Sequence, residues 1–134
     1  MNLSFLDRVQ PLAFFILRFV LGIIMLVHGY HKVFGGLHHH AQFVASMGMP
    51  AWLGYVSAFT EFLGGIALIA GVLTRFAAFA VCIDMCVAIA KVHWSHGLTG
   101  QGGYEFPLSL AAISFALIFT GAGPISVDWL MGRK

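Results

Sequence analysis

Apolar residues fall into four long runs along the chain, and the polar positions interrupting them are few enough to name. The runs predict helices over about residues 11–34, 52–73, 75–94 and 105–121. Crossing about 30 Å of hydrocarbon takes about 20 helical residues, so each run is long enough, or nearly so, to span a bilayer. Pro11 fits the first turn of the first helix, and Gly35-Gly36 ends it. Leu37 to Pro50 reads as a loop, with His38-His39-His40 as a solvated tract. Almost no chain separates the second and third helices, which makes them antiparallel neighbours. Gly97 to Gly103 leads into a fourth helix starting at Glu105 with Pro107 in its first turn. The fold class expected is all-α: a polytopic membrane protein, an antiparallel bundle of four transmembrane helices forming one domain over residues 1–134.

Composition sharpens this picture. The 134 residues are 60% hydrophobic and 9% charged, with a mean hydropathy of +0.91, whereas soluble domains carry about 25% charged residues. The lipid bilayer is the expected solvent. The net charge of +2 is spread thinly, without the basic patch that nucleic-acid binding requires, so nucleic acid is excluded as a partner. Arg18 interrupts the first run and no small-x-small site follows it, so that run reads as a retained helix rather than a secretory signal. Arg8, Arg75, Arg133 and Lys134 fall on one side and Lys32 and Lys91 on the other, an asymmetry that sets both termini in the cytoplasm. Trp52, Trp94 and Trp129 lie near helix ends, at headgroup level.

Three ionisable residues lie deep within apolar runs: Arg18, Glu61 and Asp84. Such groups face a bundle interior and a partner, because stranding a charge in hydrocarbon is costly. They are the candidate catalytic residues. If Arg18 sits with both acids, one cation cannot neutralise two carboxylates, and one of them holds a proton. An Arg18–Glu61 ion pair that only holds the bundle together is the competing reading. Arg18 shares a ridge with Gly22, Met25, Gly29 and Lys32, Glu61 with Gly54 and Gly65, and Asp84 with Ala77, Ala88 and Lys91, so small residues flank each charge. In the fourth helix the ridge expected is Glu105, Ser109, Ala112 and Ala116.

A second polar layer gathers at the opposite mouth, where Lys32, Lys91, His28, His93, Tyr104 and Glu105 are the candidate ligand-binding residues. Cations, imidazoles, a phenol and an acid suit an anionic or quinone-like head group with which protons are exchanged. Interfacial snorkelling is the alternative. His28 with His31, and His93 with His96, form i, i+3 pairs able to ligate a metal. Neither carries a fuller motif, so no metal is assigned. Cys82 and Cys86, one turn apart, read as packing residues.

Arg18-Phe19-Val20-Leu21-Gly22 leading to His28-Gly29-Tyr30-His31-Lys32 is followed by Glu61-Phe62-Leu63-Gly64-Gly65 with Gly71 and Arg75. Gly102-Gly103-Tyr104-Glu105, Gly121-Ala122-Gly123 and Asp128 complete the set. In order and spacing, nearly the whole chain resembles the DoxX family of small four-helix membrane proteins. The resemblance implies a bacterial or archaeal cytoplasmic (inner) membrane protein. It further implies a link to quinone-coupled sulfur oxidation, or to membrane oxidoreductase complexes that respond to thiol and oxidative stress. Arg18, Gly22, Lys32, Glu61, Gly65, Gly71 and Arg75 match the family pattern; His38, His39 and His40 do not. The function expected is that of a membrane subunit of a quinone-linked oxidoreductase, with quinone the candidate cofactor, a redox subunit as partner and a homodimer compatible with the small-residue seams. The alternative is a non-enzymatic carrier or scaffold that binds a small hydrophobic ligand or a partner protein.

Overall fold

The computed structural model describes residues 2–133; Lys134, counted above for orientation, lies outside them. All regular structure among the described residues is helical, in the order α1 (Phe5–Gly35), α2 (Leu37–Ser46), α3 (Trp52–Ala70), α4 (Thr74–Ala88), a π-helical turn (Ile89–His93), a 3-10 turn (Trp94–His96), α5 (Glu105–Thr120) and α6 (Val127–Leu130). Three apolar stretches, Phe5–Gly35, Trp52–Ala70 and Thr74–His96, are long enough to cross a membrane, and α5 is a shorter fourth. The protein is a multi-pass membrane protein, and the side chains its own atoms leave uncovered are mostly those that meet lipid, among them Ile16, Val20, Ile23, Phe79, Ile83 and Phe115.

The tightest packing joins α1 to α3, which run antiparallel. Glycines make it so close: a Cβ on Gly29 would lie 2.2 Å from the Phe62 nitrogen, and one on Gly65 would lie 2.4 Å from the Leu26 nitrogen. In lipid no water-driven force holds helices together, so backbone approach through small residues supplies dispersion contact instead. α4 and α5 form the second pair, and Leu21, Met25, Leu68, Ala78, Val81 and Leu117 fill the space between the pairs.

Four expectations are corrected. The first helix begins at Phe5, well before Pro11, which sits inside it. The second ends at Ala70, where Gly71 takes up the left-handed conformation (φ 70°) and closes the helix with its N–H on Ala67. The supposed loop after Gly36 contains α2. Its Leu37, Ala41 and Val44 repeat at helical spacing, with Ala41 and Val44 buried, and Ala41 fits where a Cβ on Gly54 of α3 would come within 2.6 Å of it. In α5 the inward ridge is Pro107, Leu110, Ala111, Ser114 and Leu117 rather than the ridge containing Ser109; Ser109 Oγ donates to the Glu105 carbonyl of its own helix.

The end of the bundle that carries α6 is closed by a polar knot. Asp128 accepts hydrogen bonds from the N–H groups of Leu73 and Thr74, each at 2.8 Å, and so caps α4 from the far end of the chain. Burial pushes the Asp128 carboxyl up, yet the Thr74 and Leu73 donors, with Arg133 nearby, outweigh it and hold it below the ordinary aspartate range.

Candidate functional site

Arg18 is fully buried but does not join the two acids. Its Nη1 donates to the carbonyls of Leu68 (2.7 Å) and Ile69 (3.0 Å), and its Nη2 to that of Ile125. Leu68 and Ile69 lie in the last turn of α3, where carbonyls lack helical partners and the helix dipole is negative. The guanidinium therefore finds compensation in backbone, and Asp128 lies within its electrostatic reach. Arg75 does the same for α5, donating to Ile118 and Phe119 at 2.8 and 2.7 Å. Along α1, Arg18 is about 16 Å from Gly29, the residue packed against Glu61 and Phe62. The expected Arg18–Glu61–Asp84 triad is thus divided between two layers.

Glu61 pairs with Lys32 instead. Lys32 Nζ donates to Glu61 Oε1 at 2.7 Å. The register of the glycine crossing explains the choice, because Gly29 lies beside Glu61 and Lys32 follows Gly29 by one helical turn. Glu61 is 3% exposed, and its Oε2 has no hydrogen-bond partner. Asp84, from α4, lies beside both Glu61 and Ser57. Two ionised carboxylates can only accept, so Oε2 gains a donor from Asp84 only when a proton lies between them.

This cluster closes the inner wall of a cleft of about 570 Å³ between α2, α3 and α4. From Phe76 to His93 the cleft follows α4 and the π turn for about 26 Å, close to the full hydrocarbon depth. Its lower walls are Phe76 and Phe79, Ile83 lies level with Asp84, and Val56, Lys32, Lys91, His93 and His40 stand toward the upper end. The π turn Ile89–His93 carries Lys91 and His93, and such turns re-aim side chains at functional sites. His40 is a site residue that sequence reasoning missed. Its ring nitrogen Nε2 is buried without a partner, and burial, reinforced by Lys32 and partly offset by Asp84, pushes the imidazole below its usual range. The helical spacing of His40 and Val44 is the sequence signal that placed it apart from His38 and His39.

A second cavity, of about 430 Å³, lies on the other side of the Lys32–Glu61 pair and is lined by His28, Glu105, Phe106 and the loop glycines 100, 102 and 103. His28 and Glu105 therefore line this mouth and not the cleft. Tyr104 lines neither; its ring stacks on Trp94 with centroids 5.3 Å apart. His93 Nδ1 contacts the Gly102 carbonyl at 2.7 Å, tying the loop to the π turn. No group of three metal-ligating side chains occurs among the described residues, so the His28/His31 and His93/His96 pairs gain no further ligand. Cys82 Sγ lies 3.7 Å from the Ala111 carbonyl, and Cys86 is a free, exposed thiol.

The DoxX family profile matches residues 13–94, the stretch that supplies α1 to the π turn and hence every wall of the cleft. The chain belongs to the DoxX family. It is similar to the Bacillus subtilis protein named "Putative oxidoreductase CatD", with 33% identity over 84% of this chain and 82% of that protein. A Haemophilus influenzae protein named only as uncharacterized is 28% identical over 92% of this chain and 93% of its own length. The Escherichia coli K12 "Inner membrane protein YqjF" is 24% identical over 96% and 99% respectively. No solved structure matches.

Proposed function

We propose that this DoxX protein is a membrane subunit of a quinone-linked oxidoreductase whose cleft holds the head group of a quinone-like molecule, with Glu61 and Asp84 handling its protons. The observation that carries this reading is the buried, unpartnered Oε2 of Glu61, next to Asp84, in the wall of an apolar cleft that runs along the bilayer flank. A bound quinone would supply paired electron and proton chemistry. Lys91 and His93 offer donors to ring carbonyls, Glu61 and Asp84 offer acceptors to ring hydroxyls, and the walls lined by phenylalanine, valine and isoleucine suit an isoprenoid tail. The name of the Bacillus subtilis relative agrees with the redox half of the proposal.

The location proposed is the cytoplasmic membrane of a bacterium or archaeon, in keeping with the name of the Escherichia coli relative. Both termini face the cytoplasm in this proposal, since Arg8, Arg75 and Arg133 outnumber Lys32 and Lys91. A non-enzymatic carrier is the second reading. The run of the cleft along the lipid-facing side of α4 favours it, because any lipid-like tail fits there.

Native mass spectrometry of protein extracted from its own membrane in mild detergents tests both readings. The expected result is a stoichiometric quinone that is lost in Ala80→Trp, which fills the cleft, together with a redox subunit. Ordinary phospholipid alone, across several detergents, would overturn the quinone proposal in favour of the carrier.

A further inference from the structure

The two cavities share four wall residues: Lys32, Glu61, Ala88 and His93. Lys32 and Glu61 are joined at 2.7 Å, so their ion pair is itself the partition between a cleft that opens along the lipid-facing flank and a mouth beside the exposed loop 97–102. Phe76, Phe79 and Ile83 of the cleft are among the residues that meet lipid, whereas the mouth is bounded by loop glycines, His28 and Glu105. A carboxylate with one oxygen held by Lys32 and the other buried without a partner beside Asp84 can take up a proton without leaving its position.

We propose that the Lys32–Glu61 pair is a proton septum: a proton given up by an acidic head group in the cleft passes to Glu61 and leaves through the mouth cavity. Ligand entry from the lipid is thereby coupled to proton release into water on the loop side. The inference rests on the head-group reading of the cleft given above. The step is a proton transfer only. The O–H bond of the head group breaks, an O–H bond forms on Glu61, and the head-group anion is left facing Lys32 and Lys91. Glu61 then loses that proton to water in the mouth, where His28 and Glu105 are the exposed titratable groups beside it. With Asp84 keeping its own proton beside Glu61, two cations, Lys32 and Lys91, then face two anions, Glu61 and the head group, so no net charge is left in the low-dielectric layer.

The probe is 2-heptyl-4-hydroxyquinoline N-oxide, a fluorescent amphiphile with one acidic O–H, added by stopped flow to the full chain in nanodiscs. Its fluorescence quench reports binding, and a pH indicator in weakly buffered medium reports the proton. With wild type the expected result is about one proton released per molecule bound, in step with the quench. In the doubly substituted His28→Leu/Glu105→Gln protein, whose changes lie on exposed positions of the mouth, release should lag at least tenfold behind the quench. Glu61→Gln should abolish release per molecule bound, and Glu61→Asp should restore it in part.

Quench with no proton release in wild type would overturn the septum, as would release in step with the quench in the mouth variant, or undiminished release in Glu61→Gln. Each of those outcomes leaves the head-group reading standing. No quench in wild type would instead remove the head-group reading itself, and the septum with it.

Discussion

The helix pair α1–α3 holds a cation near each end, and the two are treated oppositely. At the α6 end Arg18 is fully enclosed and shares its charge among three carbonyls and the terminus of α3. At the loop end Lys32 reaches a single carboxylate oxygen, keeps 29% of its side chain exposed, and leaves the second oxygen of Glu61 buried without a hydrogen-bond partner, on a residue that lines both cavities. A group held by immobile backbone atoms cannot exchange partners without unwinding a helix. One held by a flexible side chain beside a void can. The first arrangement reads as architecture and the second as a working site.

Substitutions sharpen that contrast. The largest loss is expected for Arg18→Leu, which removes three charge-assisted hydrogen bonds and should cost about 4 kcal/mol, read as a much lower thermal midpoint in mild detergent. Gly71→Ala comes next. An added Cβ would lie 2.5 Å from Arg18 Nη1, at a backbone φ of 70°, so a loss of about 2–3 kcal/mol is expected. Equal, wild-type-like melting of both variants would break the assignment of Arg18 to architecture.

Asp128→Asn should cost about 1–2 kcal/mol at neutral pH, as loss of a helix cap does, and it also alters the pH response. Because the folded carboxyl titrates below its unfolded value, its contribution is complete above the unfolded aspartate pKa of about 4. It is lost as pH falls through the folded value. Melting curves of wild type and Asp128→Asn should therefore converge in acid and separate at neutrality. The smallest structural effect is expected at the loop end. Glu61→Gln should shift stability by less than about 1 kcal/mol, since the partly exposed Lys32 regains water, while weakening binding of the quinoline N-oxide probe about tenfold. A large loss of stability in Glu61→Gln would erase the distinction between the two ends.

The long apolar runs and their glycine seams made the bundle legible from sequence, because lipid demands both. Arg18 and Glu61 were legible as residues needing partners, but the partners were not. Arg18 is satisfied by carbonyls of Leu68, Ile69 and Ile125, and every residue owns a carbonyl, so no pattern marks those three. The Lys32–Glu61 pair depends on the register in which Gly22, Gly29 and Gly65 let α1 cross α3, information carried by the glycines jointly rather than by either charge. Starting α1 at Pro11 instead of Phe5 also shortens the stretch of helix that precedes Arg18. In α2 the three adjacent histidines concealed a helical face made by Leu37, Ala41 and Val44.

The docking of α6 bears on how the protein is made. Asp128 and Ile125 complete the cap of α4 and the cradle of Arg18, yet both follow all four apolar helices along the chain. The four apolar helices therefore emerge before either contact can form, and the bundle closes only once α6 has followed them. A chain interrupted before Ile125 therefore carries all its spanning helices and lacks its lock.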